Sequence, residues 1–184
     1  MSARYVKDSR DRSHYVLHQE MRMSCGPACV AMVEDAFKQK CINNAEGRIR
    51  EISQKYRGKF TPAAGTGIDN LAAVMRAEGI PTYDPMHAHT KEGLFANFWA
   101  YVGPRTPIIA QVLWLQPETI TMMTHFTVLK QIDTPDNRMI FLDPMNDVVE
   151  VSHEQLVKDP FSYQTKGGSK GQLTGDILVP HLRL

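Results

Sequence analysis

Gln19-Glu-Met-Arg-Met-Ser-Cys25-Gly-Pro-Ala-Cys29 is the stretch from which the fold can be read. Ser24 ahead of Cys25 reads as an N-cap, and Pro27 falls in a first turn that has no intrahelical donor to lose. Cys29, Met32, Val33, Ala36 and Phe37 follow at three- and four-residue spacing, so a helix with one apolar face opens at Cys25. A cysteine at that point meets free backbone N–H groups and the positive end of the macrodipole, which favour thiolate over thiol. The thiolate is the nucleophile. Gly26 removes a side chain beside the sulfur and leaves room for a substrate carbonyl. Gln19 offers a side-chain N–H that can join the Cys25 backbone N–H in an oxyanion hole.

Working outward, helices are expected over residues 45–56, with Ile49 and Ile52 inward, and over 69–78, stopped by Gly79 in a left-handed cap. A short aromatic helix is expected over 94–101. The second half changes character. Pro107-Ile-Ile-Ala-Gln-Val-Leu-Trp, His125-Phe-Thr-Val-Leu-Lys, Arg138-Met-Ile-Phe-Leu-Asp and Val148-Val-Glu-Val are β-branched and aromatic runs divided by turn residues. Thr134-Pro-Asp-Asn makes a hairpin-like turn between two of them. Ser152-His-Glu-Gln has capping-box spacing and opens a further short helix. Asp176-Ile-Leu-Val-Pro supplies a last strand. Helices first and antiparallel strands second give an α+β domain spanning 1–184, with the charged residues 1–13 a flexible arm.

His125 heads one strand and Asp143 ends the next. As antiparallel neighbours they bring both side chains to one sheet edge, Asp143 orienting the imidazole and His125 acting as base and acid. Asp133, Asp147 and Asn146 are alternatives for the third position; the strand-end place favours Asp143. Cys29 reads as core and Cys41 as a semi-exposed bystander. Cys25 and Cys29 at i, i+4, or His87 with His89, mimic metal pairs, yet further ligands at a recognisable spacing are missing, so no metal is expected. Met123 and Thr124, just before His125, are candidates to line a substrate groove.

In this order the residues resemble the papain-like cysteine peptidases, most closely the C39-type double-glycine peptidases. That family's pattern is a Gln, a Cys-Gly pair opening a helix, a His in a strand and an Asp followed by Pro. Gln19, Cys25-Gly26, His125-Phe-Thr-Val-Leu and Leu142-Asp143-Pro144 meet it over roughly residues 17–151. The resemblance implies a papain-like fold, Cys25 as nucleophile, His125 as base, Asp143 as orienting acid and Gln19 in the oxyanion hole, with no cofactor. It implies cleavage of a protein or peptide after Gly-Gly through a thioester. Ser24 departs from the pattern, since many exporter-linked members carry an acidic residue there. Free-standing relatives include toxins that bacteria inject into competitors, which implies an immunity protein as partner. The same thioester also serves an acyltransferase of transglutaminase type, and the same scaffold a non-catalytic binding module.

Composition narrows the remaining classes. The 184 residues are 42% hydrophobic and 22% charged, which excludes a wholly disordered chain. A formal net charge of +1 gives no global field for nucleic acid or an anionic membrane. Three cysteines cannot all pair within one chain, which fits free thiols in a reducing compartment. The polar amino terminus lacks an apolar signal core, and no run reaches bilayer-spanning length. A cytoplasmic site of action is expected, in the producing cell or in a target cell reached through a specialised secretion system.

Overall fold

The computed structural model describes residues 3–40, 45–115, 122–134, 136–158, 163–164 and 170–182. It opens with a hairpin in which β1 (Ala3–Lys7) pairs antiparallel with β2 (Ser13–Leu17). This corrects the expectation of a flexible arm over residues 1–13. Asp8 makes the turn, its Oδ1 accepting the backbone N–H of Arg10 at 2.9 Å and of Arg12 at 3.0 Å. The charges that resemble a solvated arm have partners far along the chain. Arg12 pairs with Asp8 and Asp133, and Arg10 with Asp136.

Three helices follow: α1 (Cys25–Lys38), α2 (Ala45–Ser53) and α3 (Ile68–Ala77). Gly79 adopts φ +76° just past α3, the left-handed stop expected of it. Next come β3 (Met86–His87) and α4 (Lys91–Tyr101), whose Thr90 cap accepts the Gly93 N–H at 3.0 Å. The strands β4 (Ile108–Leu115), β5 (Met122–Asp133), β6 (Arg138–Asp143) and β7 (Asp147–Val151) then run in succession. The capping box forms as read: Ser152 N donates to Gln155 Oε1 at 2.8 Å and Gln155 N to Ser152 Oγ at 3.1 Å. It opens α5 (His153–Lys158), followed by β8 (Tyr163–Gln164) and β9 (Lys170–Leu178).

The larger sheet is antiparallel in the order β3-β9-β4-β5-β6-β7, with β8 paired to β9. Its alternating side chains feed two cores. Phe126 and Val128 of β5, with Ile140 and Leu142 of β6, pack with α1, α2 and α3. Leu129, Met139 and Phe141 join Leu94 and Phe98 of α4 and Leu156 of α5. Helices therefore cover both faces, and each fully buried aliphatic side chain contributes about 1.5–3 kcal/mol. This is the expected α+β arrangement of helices on an antiparallel sheet. Among the described residues no helix is long and apolar enough to cross a membrane.

α1 is the central element, buried from Cys25 through Glu34. Its seat explains Gly26 differently from the sequence expectation. A Cβ built there would lie 2.7 Å from Thr66 Cγ2 and 3.1 and 3.2 Å from the Leu71 methyls. The space that Gly26 leaves is filled by the protein itself, locking the start of α1 against α3 and the loop before it. Gly26→Ala should therefore destabilise the fold by about 1–3 kcal/mol through overpacking. Thr66→Ser removes the clashing methyl while keeping the hydroxyl, and should recover much of that loss. Urea unfolding of the two single variants and the double variant measures it; additive losses would contradict this seat.

Candidate active site

Cys25 occupies the first turn of α1, where helix geometry leaves its N–H without an intrahelical acceptor. Ser24 stands at the N-cap position but makes no side-chain capping bond. Its Oγ instead donates to Met21 O at 2.9 Å and accepts the Met21 N–H at 3.0 Å, closing the turn before Cys25. Cys25 is only 7% exposed, so the thiol is nearly sealed.

His125 lies in β5 and Asp143 at the end of β6, antiparallel neighbours as expected. They lie on two inner strands of the sheet, not on its edge strands. His125 Nε2 is 3.0 Å from Asp143 Oδ2. Its other ring nitrogen, Nδ1, is left for the Cys25 sulfur, with which the imidazole also hydrogen-bonds. Burial pulls the imidazole pKa down, yet the Asp143 charge and the hydrogen bonds to Asp143 and Cys25 outweigh it and push the value up to about 10. Burial likewise raises Asp143, and the His125 charge with its hydrogen bonds brings the carboxyl below its ordinary range. The pair is an imidazolium on a carboxylate.

Asp143 is completely buried and fully partnered. Oδ1 accepts Met145 N at 2.7 Å, Asn146 N at 2.9 Å and Asn146 Nδ2 at 3.1 Å. Oδ2 receives the Tyr163 hydroxyl at 2.7 Å besides His125. Sequence reasoning misses Tyr163: it sits twenty residues downstream in a two-residue strand, and its polar ring is silent without the contact. Its hydroxyl is also 2.9 Å from Thr127 Oγ1, and Trp114 packs on both the His125 and Tyr163 rings.

The other candidates take different places. Asn146 donates to Asp143. Asp147, at φ +67°, binds Arg4, while Asp133 binds Arg12. Thr124 is exposed and Met123 half-buried beside His125, opposite Leu113 and Trp114 of β4. Cys29 is buried one turn below Cys25, and burial raises its thiol pKa, as the core assignment expects. Cys41 falls outside the described residues. His87 is tied to Asp176 at 2.8 Å, and no cluster of three or more ligands suited to a metal occurs among the described residues.

Gln19 departs most from expectation. Its Nε2 donates to Met21 O at 2.8 Å and Arg22 O at 2.7 Å, so both N–H groups brace the turn before Cys25. A flipped amide would set oxygen against two carbonyls, which fixes this orientation. Oε1 is buried and unbonded among the described residues. The Gln19 backbone N–H donates to Pro144 O at 3.2 Å, tying the turn before Cys25 to the turn after Asp143.

No protein-family model and no curated protein matches the chain. Among solved structures, it is similar to the crystal structure of a double-glycine-motif protease from an AMS/PCAT transporter in complex with the leader peptide. The two are 19% identical, the match covers 91% of each chain, and the TM-score is 0.56. The chain thus shares the fold of that double-glycine-motif protease.

The ion pair carries a pH signature. His125 is raised from its ordinary 6.5 to about 10, so the stability it contributes is complete below pH 6.5 and lost as pH rises through about 10. The difference in urea midpoint between wild type and His125→Ala should therefore narrow from pH 6.5 toward pH 10. A constant difference would mean that the folded imidazole is not held protonated.

Proposed function

We propose that this protein is a cysteine peptidase that cleaves protein or peptide substrates after a Gly-Gly pair. The observation that carries the reading is His125 held between the Cys25 thiol and a saturated, buried Asp143. Its support is the fold in common with a double-glycine protease. Cys25 Sγ, as thiolate, attacks the carbonyl carbon and forms the S–C bond. The backbone N–H of Cys25 stabilises the oxyanion, joined by Gln19 once one of its N–H groups leaves a turn carbonyl. Collapse breaks the C–N bond, and imidazolium Nδ1 gives its proton to the leaving amine. Water then attacks the thioester, His125 takes its proton, and the carboxylate product departs from a regenerated thiolate. Glycine at the two positions before the scissile bond suits a narrow approach to a sulfur as enclosed as this one. Met123 and Thr124 would line that approach.

The roles predict an ordered loss. Cys25→Ala and His125→Ala should be inactive, since each removes an indispensable bond-making group. Asp143→Ala should retain a weak, measurable rate, the imidazole persisting with poorer orientation. Gln19→Ala should lower kcat by roughly a hundredfold with KM little changed. Peptides carrying Gly-Gly, Gly-Ala, Ala-Gly and Ala-Ala before one cleavable bond, followed by mass spectrometry, decide specificity. Equal cleavage of all four would refute the glycine restriction. A product mass showing an amine joined to the acyl fragment would identify acyl transfer in place of hydrolysis.

A further inference from the structure

Glu46, the second residue of α2, has no exposed surface and takes no part in the triad. An unpaired carboxylate in that position would cost several kcal/mol, so its partners reveal what it is for. Oε2 accepts the Glu20 N–H at 2.9 Å. Oε1 receives Arg50 Nη1, and Arg50 Nη2 reaches the Glu20 carboxylate at 2.8 Å. The Glu20 N–H belongs to the start of the turn between Gln19 and Cys25. Arg50 closes the ring by holding Glu20. The turn's own polar groups face inward on one another, and Glu46 is the anchor supplied from another element.

We propose that Glu46 is a positioning residue: its buried carboxylate fixes the 20–24 turn from beneath and so aims the Cys25 N–H at the oxyanion. This rests on the thioester chemistry proposed above. Glutamine has the same shape but presents one acceptor oxygen where the Glu20 N–H and the Arg50 guanidinium each need one, and sets its NH2 against a donor. Glu46→Gln should therefore let the turn shift without opening a cavity, and an error near 1 Å at such a site costs about a hundredfold in rate. A thiol that merely reacts with a small alkylating agent needs no oxyanion donor and should be spared.

The test compares wild type, Glu46→Gln, Arg50→Lys, which keeps the charge but gives up the guanidinium fork between Glu46 and Glu20, and the double variant by two rates. One is Cys25 acylation by p-nitrophenyl acetate, an activated ester that forms an oxyanion without needing a Gly-Gly sequence. The other is Cys25 alkylation by iodoacetamide. Expected are acylation at least tenfold slower in each single variant, alkylation within about twofold of wild type, and a double variant no worse than Glu46→Gln. Unchanged acylation in both single variants overturns the proposal, as does alkylation falling in step with acylation. If Glu46→Gln does not fold, the two rates of Arg50→Lys decide alone, since lysine keeps a cation beside Glu46. Ester acylation without peptide cleavage would count against the Gly-Gly reading alone. Absence of any Cys25-dependent acylation in wild type would overturn both.

Discussion

A carboxylate with no contact with water survives in a protein only if its charge and lone pairs are answered from within. Asp143 meets that condition through three backbone or amide N–H groups on one oxygen and an imidazolium and a phenol on the other. Those donors come from β5, β8 and the turn after β6, so the carboxylate can be satisfied only when the sheet has closed around it. In return it sets the tilt of His125 and hence which nitrogen faces Cys25. The Gln19 N–H to Pro144 O bond adds the turn before Cys25 to the same unit. The closure of the sheet and the orientation of the imidazole depend on one buried ion pair.

The helical half of the molecule is organised by buried charge as well. Glu34 and Glu46 have no side-chain exposure and receive Arg48 with Lys38 and Arg50 respectively. In the amino-terminal hairpin, Asp8 does likewise between Arg12 and His14. Each carboxylate sits where a loop or hairpin must be fastened: the amino-terminal hairpin, the α1–α2 pair and the nucleophile's turn. Removing one partner from such a site leaves a dry charge, a cost of about 3–5 kcal/mol, so these contacts specify geometry more than they add net stability.

Gly26 illustrates how packing and reactivity come together. Its missing Cβ is required by Thr66 and Leu71, which press on the first turn of α1. That pressure holds the Cys25 sulfur against His125 with little exposed surface. Trp114, laid on both the imidazole and the Tyr163 ring, shields the ion pair in turn. The Cys25 sulfur is thereby left nearly enclosed beside the imidazole.

The sequence alone determined the main elements and the order in which Gln19, Cys25, His125 and Asp143 follow one another along them. Apolar periodicity, caps and turns are local, so α1 from Cys25, the capping box at Ser152 and the strands carrying His125 and Asp143 are legible in the chain itself. Tertiary structure decided what depends on distant partners. The hairpin of residues 3–17 is hidden in the sequence because its charged turn looks solvated until Arg12 meets Asp133, over a hundred residues away. Tyr163 and Glu46 carry no spacing signal, since each acquires meaning only when a separate element brings it to Asp143 or to the turn before Cys25. Gln19 stands out by position, but the direction of its amide is set by two carbonyls of its own turn. Periodicity records which face of an element is buried; which buried polar atoms meet there is settled only when the chain closes in three dimensions and each must find a partner.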